Sequence, residues 1–138
     1  MAPVKLIQPE ECPDQAALVD RIRKGRRGTV INVYKKLVHT PDVASVWLDL
    51  VNVVRWKVDL DGRLREIVIV RIGYLNRCAY VVNQHVPELT APEGLSKDES
   101  AALADWRASA FFNERERAAL AYADAMTREI DVPEAVFA

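Results

Sequence analysis

Glu66, Cys78 and His85 stand within one stretch of twenty residues, spaced twelve and then seven apart among mostly apolar neighbours. The stretch opens Arg65-Glu66-Ile67-Val68-Ile69-Val70-Arg71 and closes Asn76-Arg77-Cys78-Ala79-Tyr80-Val81-Val82-Asn83-Gln84-His85. A carboxylate, a thiol and an imidazole are the side chains that abstract protons, donate them or attack as nucleophiles. A carboxylate among apolar residues is costly unless partnered, and His85, Arg63 or Arg71 can partner Glu66. With His85 it would form an acid–base pair. A structural ion pair, or a carboxylate on the solvent side of its helix, accounts for Glu66 equally well.

If residues 77–86 are helical, Cys78 and His85 point within ~20° of each other but lie ~10 Å apart along the axis. That is too far for direct proton exchange, and Val81, four residues before His85, offers no chemistry. Arg77 and a place in the first helical turn would favour a reactive thiolate at Cys78. A free cysteine also serves as a small buried hydrophobe. A lone histidine near a helix end can act as a C-terminal cap, which suits both His85 and His39. Two histidines and two cysteines at these spacings match no zinc pattern. Without a Gly-rich phosphate loop, a GxSxG or an EF-hand motif, no metal or organic cofactor is expected.

The elements that must position these residues read as helices. Residues 1–13, with Pro3, Pro9 and Pro13, form an irregular lead-in, and one helical domain is expected over 14–138. Asp14 can cap a helix with Leu18, Val19 and Ile22 on one face, and a second candidate runs from Thr29 to His39. Thr40-Pro41 opens a third, whose Val43, Val46, Trp47, Leu50, Val51 and Val54 follow helical spacing. After the Asp61-Gly62 turn, Ile67-Val68-Ile69-Val70 is ambiguous between a buried strand and an all-round apolar helix. Asn76 can cap the helix carrying Cys78 and His85. Ser96 with Glu99, and Asn113 with Glu116, form capping boxes for two more.

At 138 residues and a net charge of −1, nothing suggests nucleic acid or an anionic membrane as a partner. The densest basic cluster, Arg21, Arg23, Lys24, Arg26 and Arg27, lacks interleaved aromatics and reads as a solvated helix end rather than a phosphate-binding surface. Cys12 and Cys78 make no disulfide framework. No signal segment and no apolar run of ~18 residues occurs, so a reduced, cytoplasmic protein is expected.

The residues assembled above resemble the carboxymuconolactone decarboxylase family, which includes alkylhydroperoxidase D. The similarity is strongest over Leu64–Arg71 and from Cys78-Ala79-Tyr80 to Gln84-His85. It extends weakly to Asn32-Val33-Tyr34 and Leu37–Pro41, and downstream to Gly94-Leu95-Ser96 and Phe112–Ala118. The resemblance implies an all-α, alkylhydroperoxidase D-like bundle, helical over residues 64–75, assembled as a homo-oligomer (trimer or hexamer) without cofactors. In the peroxidase branch Glu, a Cys-x-x-Cys pair and His are expected; Val81 stands at the second cysteine, which removes the dithiol cycle. What remains is similar to the decarboxylase branch. There His85 would donate the proton, Glu66 would orient it, and Cys78, Tyr80, Val81 and His39 would line the pocket around a small carboxylated lactone or organic acid. The alternatives are a peroxiredoxin-like thiol peroxidase using Cys78 alone, and a non-catalytic helical assembly protein.

Overall fold

The computed structural model describes residues 4–137, and among them every regular element is helical. The chain divides into two compact units, Met1–Asp59 and Leu60–Ala138. In the first, three-ten turns at Pro9–Glu11 and Pro13–Gln15 precede α1 (Ala16–Gly25), α2 (Asn32–Leu37) and α3 (Pro41–Trp56). The expected cap at Asp14 falls one residue early, since Pro13 opens a three-ten turn first and Gln15 precedes α1. Ile22, Tyr34, Val38 and Leu48 form this unit's core. Much of the basic cluster fastens the unit together. Arg21 binds Ser45 and Asp49 of α3, and Arg26 binds Asn52 and the Tyr34 hydroxyl.

Pro41 takes the first position of α3 after Thr40, as its fixed φ allows. The face that α3 buries is not the one its large side chains mark. Ala44 and Leu48 are buried, whereas Val43, Val46, Trp47, Leu50 and Val54 are exposed, about 120° round the helix.

The second unit is built around α4 (Gly62–Leu75), against which α5 (Ala79–His85), a three-ten turn at Ala91–Glu93, a three-ten helix at Leu103–Ala108 and α7 (Glu114–Arg128) pack; α6 (Lys97–Ala102) and α8 (Glu134–Phe137) complete it. The β-branched run is thus helical. Asp61 caps α4 by accepting the Leu64 N–H at 2.9 Å. Ile67 and Val70 then join Leu95, Leu103, Trp106, Phe112 and Leu120 in the core. The buried residues of α4, Glu66, Ile67, Val70, Arg71 and Gly73, share one side of the helix, while the apolar Val68 and Ile69 are half-buried and Ile72 is exposed on the other, which blurs the one-sided pattern that marks a surface helix. Both capping boxes form, Ser96 with Glu99 and Asn113 with Glu116. No described helix is long and apolar enough to cross a membrane.

Ion pairs fasten α4 at both ends. Near its start Arg63 binds Glu99 at 2.6 Å and Glu116 at 2.7 Å. Two turns further on, Arg71 grips Asp124 of α7 with both Nε and Nη2, at 2.6 and 3.0 Å. The hydrogen bond from Arg63 holds the Glu99 carboxyl down at about 2. Burial pushes Asp124 the other way, but hydrogen bonds from Arg71, Arg107 and Trp106 outweigh it and keep that carboxyl below its ordinary value. Both groups bind protons less readily folded than unfolded, so their contribution is full near neutrality and is lost as pH falls from about 5 towards 2. The urea midpoint should therefore drop across that window, and drop less in Arg63→Met. A midpoint flat from pH 7 to 3 would contradict this account.

Candidate active site

The last turn of α4 determines where α5 begins. Arg77 adopts a left-handed conformation with φ 52°. The Arg77 N–H reaches the Tyr74 carbonyl at 3.0 Å and the Cys78 N–H reaches the Gly73 carbonyl at 2.8 Å, the paired closure that ends many helices. Asn76 therefore closes α4 instead of opening α5, and its side-chain amide donates to the Ile72 carbonyl. Cys78 becomes the residue that precedes α5, one position ahead of the first turn.

From that corner α5 runs back along α4. Gly73 lets the helices close: a Cβ there would lie 3.1 Å from Val81 Cγ1 and 3.2 Å from Val82 Cγ2. Val81 and Val82 precede His85 by four and three residues, so all three share a helix face. Glu66 lies seven residues before Gly73, two turns back on the same side of α4. The two pairings place His85 Nδ1 at 2.6 Å from Glu66 Oε2.

Glu66 is fully buried, while the His85 side chain keeps 16% of its surface exposed. The second carboxylate oxygen, Oε1, lies 3.5 Å from Arg65 Nε. With a guanidinium on one oxygen and a ring nitrogen on the other, the carboxylate fits both contacts as an acceptor. Nδ1 must then carry the hydrogen, which leaves Nε2 as the edge of the ring able to take up or release a proton. Among the described residues Nε2 has no hydrogen-bond partner. A buried carboxylate that orients an imidazole whose other nitrogen is reachable is an arrangement for proton transfer.

The remaining expected site residues form no hydrogen bond with the Glu66–His85 pair among the described residues. Cys78 is half-buried and makes no hydrogen bond with the ring among the described residues. Val81 packs at the Gly73 crossing, and Tyr80 is exposed. His39 belongs to the first unit, where its Nε2 hydrogen-bonds with the Lys5 carbonyl at 2.8 Å. No three His, Cys, Asp or Glu side chains gather as metal ligands among the described residues. Of the candidate partners for Glu66, the geometry selects His85; Arg63 and Arg71 bind other carboxylates. Arg65 was not anticipated, and the Arg-Glu doublet in the sequence was the one signal for it.

The family model of the carboxymuconolactone decarboxylase family matches residues 41–125. The chain belongs to that family. The matched span holds Glu66, Cys78 and His85 and begins two residues after His39. Membership accords with the all-helical structure. Neither the curated proteins nor the solved structures include a match to the chain.

Proposed function

We propose that the protein is a carboxymuconolactone decarboxylase-like enzyme that performs proton transfer without a cofactor on a small carboxylated lactone or related organic acid. The 2.6 Å bond between a fully buried Glu66 and a partly open His85 carries this reading. In such a reaction the bond between the carboxylate carbon and the ring breaks and carbon dioxide leaves. The electron pair it held delocalises into the unsaturated lactone. His85 then delivers the Nε2 proton to the carbanionic carbon, while Glu66 keeps Nδ1–H in place and balances the charge of the imidazolium before transfer. Solvent returns the proton for the next turnover.

The reading also expects a trimer or hexamer of identical chains. The apolar side chains that α3 leaves exposed, Trp47 and Leu50 among them, form the kind of surface such contacts cover.

The test is carbon dioxide release from a γ-carboxylated unsaturated lactone in deuterium oxide. One deuterium per turnover at the former carboxyl-bearing position or its conjugate carbon is expected. A protein inert towards such lactones, whose Cys78 instead gains one oxygen within seconds of dilute hydroperoxide, would replace this reading with the thiol peroxidase.

A further inference from the structure

Of the three arginines on α4, Arg63 and Arg71 tie the helix to carboxylates elsewhere in the unit, Glu99 and Glu116 for one and Asp124 for the other. Arg65 does something different. Its Nη2 lies 2.7 Å from Glu93 Oε1 and its Nε 3.5 Å from Glu66 Oε1. A line of alternating charge therefore runs inward from Glu93 (33% exposed), through Arg65 (11%), to Glu66 (0%) and the His85 ring.

We infer that Arg65 and Glu93 are positioning residues for His85, setting through Glu66 how firmly the imidazole holds its proton. The inference rests on the reading of Glu66 and His85 as the acid–base pair.

The backbone fixes both ends of the line. The His85 carbonyl accepts from the Leu89 and Thr90 N–H groups, and Thr90 Oγ1 donates to the Val86 carbonyl. The segment leaving α5 is thereby turned back, and the three-ten turn Ala91–Glu93 brings Glu93 over the start of α4. There the Glu93 carboxylate fills the space beside Gly62: a Cβ on that residue would lie 1.8 Å from Oε2. A side chain at the first position of α4 would push the Glu93 carboxylate from the place where it meets Arg65.

Glu99, Glu116 and Asp124 on neighbouring elements are engaged with other partners, and Glu88, between α5 and the three-ten turn, is partnered too. Glu116 of α7 and Glu99 of α6 bind Arg63, while Asp124 of α7 binds Arg71 and Arg107. α5 carries no charged side chain besides His85. A guanidinium shared between two carboxylates leaves part of the Glu66 charge for the imidazole. Removing the guanidinium strengthens the pull of the Glu66 charge on the imidazole, and removing Glu93 strengthens the pull of the guanidinium on Glu66.

The experiment follows the ring proton resonances of the two histidines of the full chain through a pH titration, without substrate. Arg65→Met should raise the His85 midpoint by about half a pH unit or more, a threefold gain in proton affinity. Glu93→Gln, a nearly isosteric change at the outer end, should lower it, and Arg65→Lys should return it towards wild type. The His39 resonance should stay put in all three. A His85 midpoint that is unmoved by Glu93→Gln, or that shifts in the same direction in Arg65→Met and Glu93→Gln, would overturn the inference. Because no turnover is read, an enzyme inert towards lactones would refute the proposed reaction and leave this coupling standing.

Discussion

His85→Gln is expected to lower kcat on a carboxylated lactone by about 10²–10⁴-fold, the range that a positioned general acid contributes. Glutamine keeps a polar group of similar reach and can accept or donate beside Glu66. It cannot release a proton to carbon. Because the ring lies at the edge of the unit with part of its surface exposed, the melting temperature should change little. Glu66→Gln should bring a comparable fall by another route, since a neutral amide neither balances an imidazolium nor dictates which ring nitrogen carries the hydrogen. The pair should act as one unit, so the double variant should lose little more than either single one. Unchanged turnover in folded His85→Gln would remove the imidazole from the reaction. Additive losses would show that the two side chains work separately.

Asp124→Ala is expected to cost about 3–5 kcal/mol of unfolding free energy, because it strands a buried guanidinium. Arg71 is 4% exposed and spends its donors on both Asp124 oxygens and on the carbonyls of Leu103 and Ala104. Asp124 also accepts from Arg107 and from the Trp106 indole. One carboxylate therefore ties together α4, the three-ten helix and α7. Replacing both members with apolar residues, Arg71→Met with Asp124→Leu, should cost less than the single alanine change, because no unpaired charge stays behind. Urea unfolding of the three proteins checks this. A loss below about 1 kcal/mol for Asp124→Ala would mean that the guanidinium finds water or another acceptor.

How far the sequence is legible depends on whether the deciding interaction is local. The caps are: Thr40-Pro41, Ser96 with Glu99 and Asn113 with Glu116 each start a helix where the spacing says. The closures of α1 and α4 are not. Arg27 and Arg77 take the left-handed position usually given to glycine. With no glycine at 77, the spacing points to Asn76 as a start, and Cys78 is read one step too far into the helix. Helical periodicity in α3 identifies the helix but says nothing about which face meets a partner. Glu66 shows the limit for the site. Its need for a partner can be read from its apolar neighbours, yet which of three cations supplies it depends on carboxylates 36 to 53 residues away from Arg63 and Arg71. Arg65 escapes for a different reason: adjacent helical residues diverge, and only the length of the arginine chain brings its Nε back to Glu66.

The close crossing at Gly73 gives the proton-transfer pair a narrow tolerance. A methyl group at that residue would require Val81 and Val82 to give by a few tenths of an ångström, and where they do so by moving α5, His85 moves with it. Hydrogen bonds as short as the one between Nδ1 and Oε2 lose strength steeply with such stretching. The precision of the chemistry is thus held at a residue with no side chain, two turns from the nearest group that takes part in it.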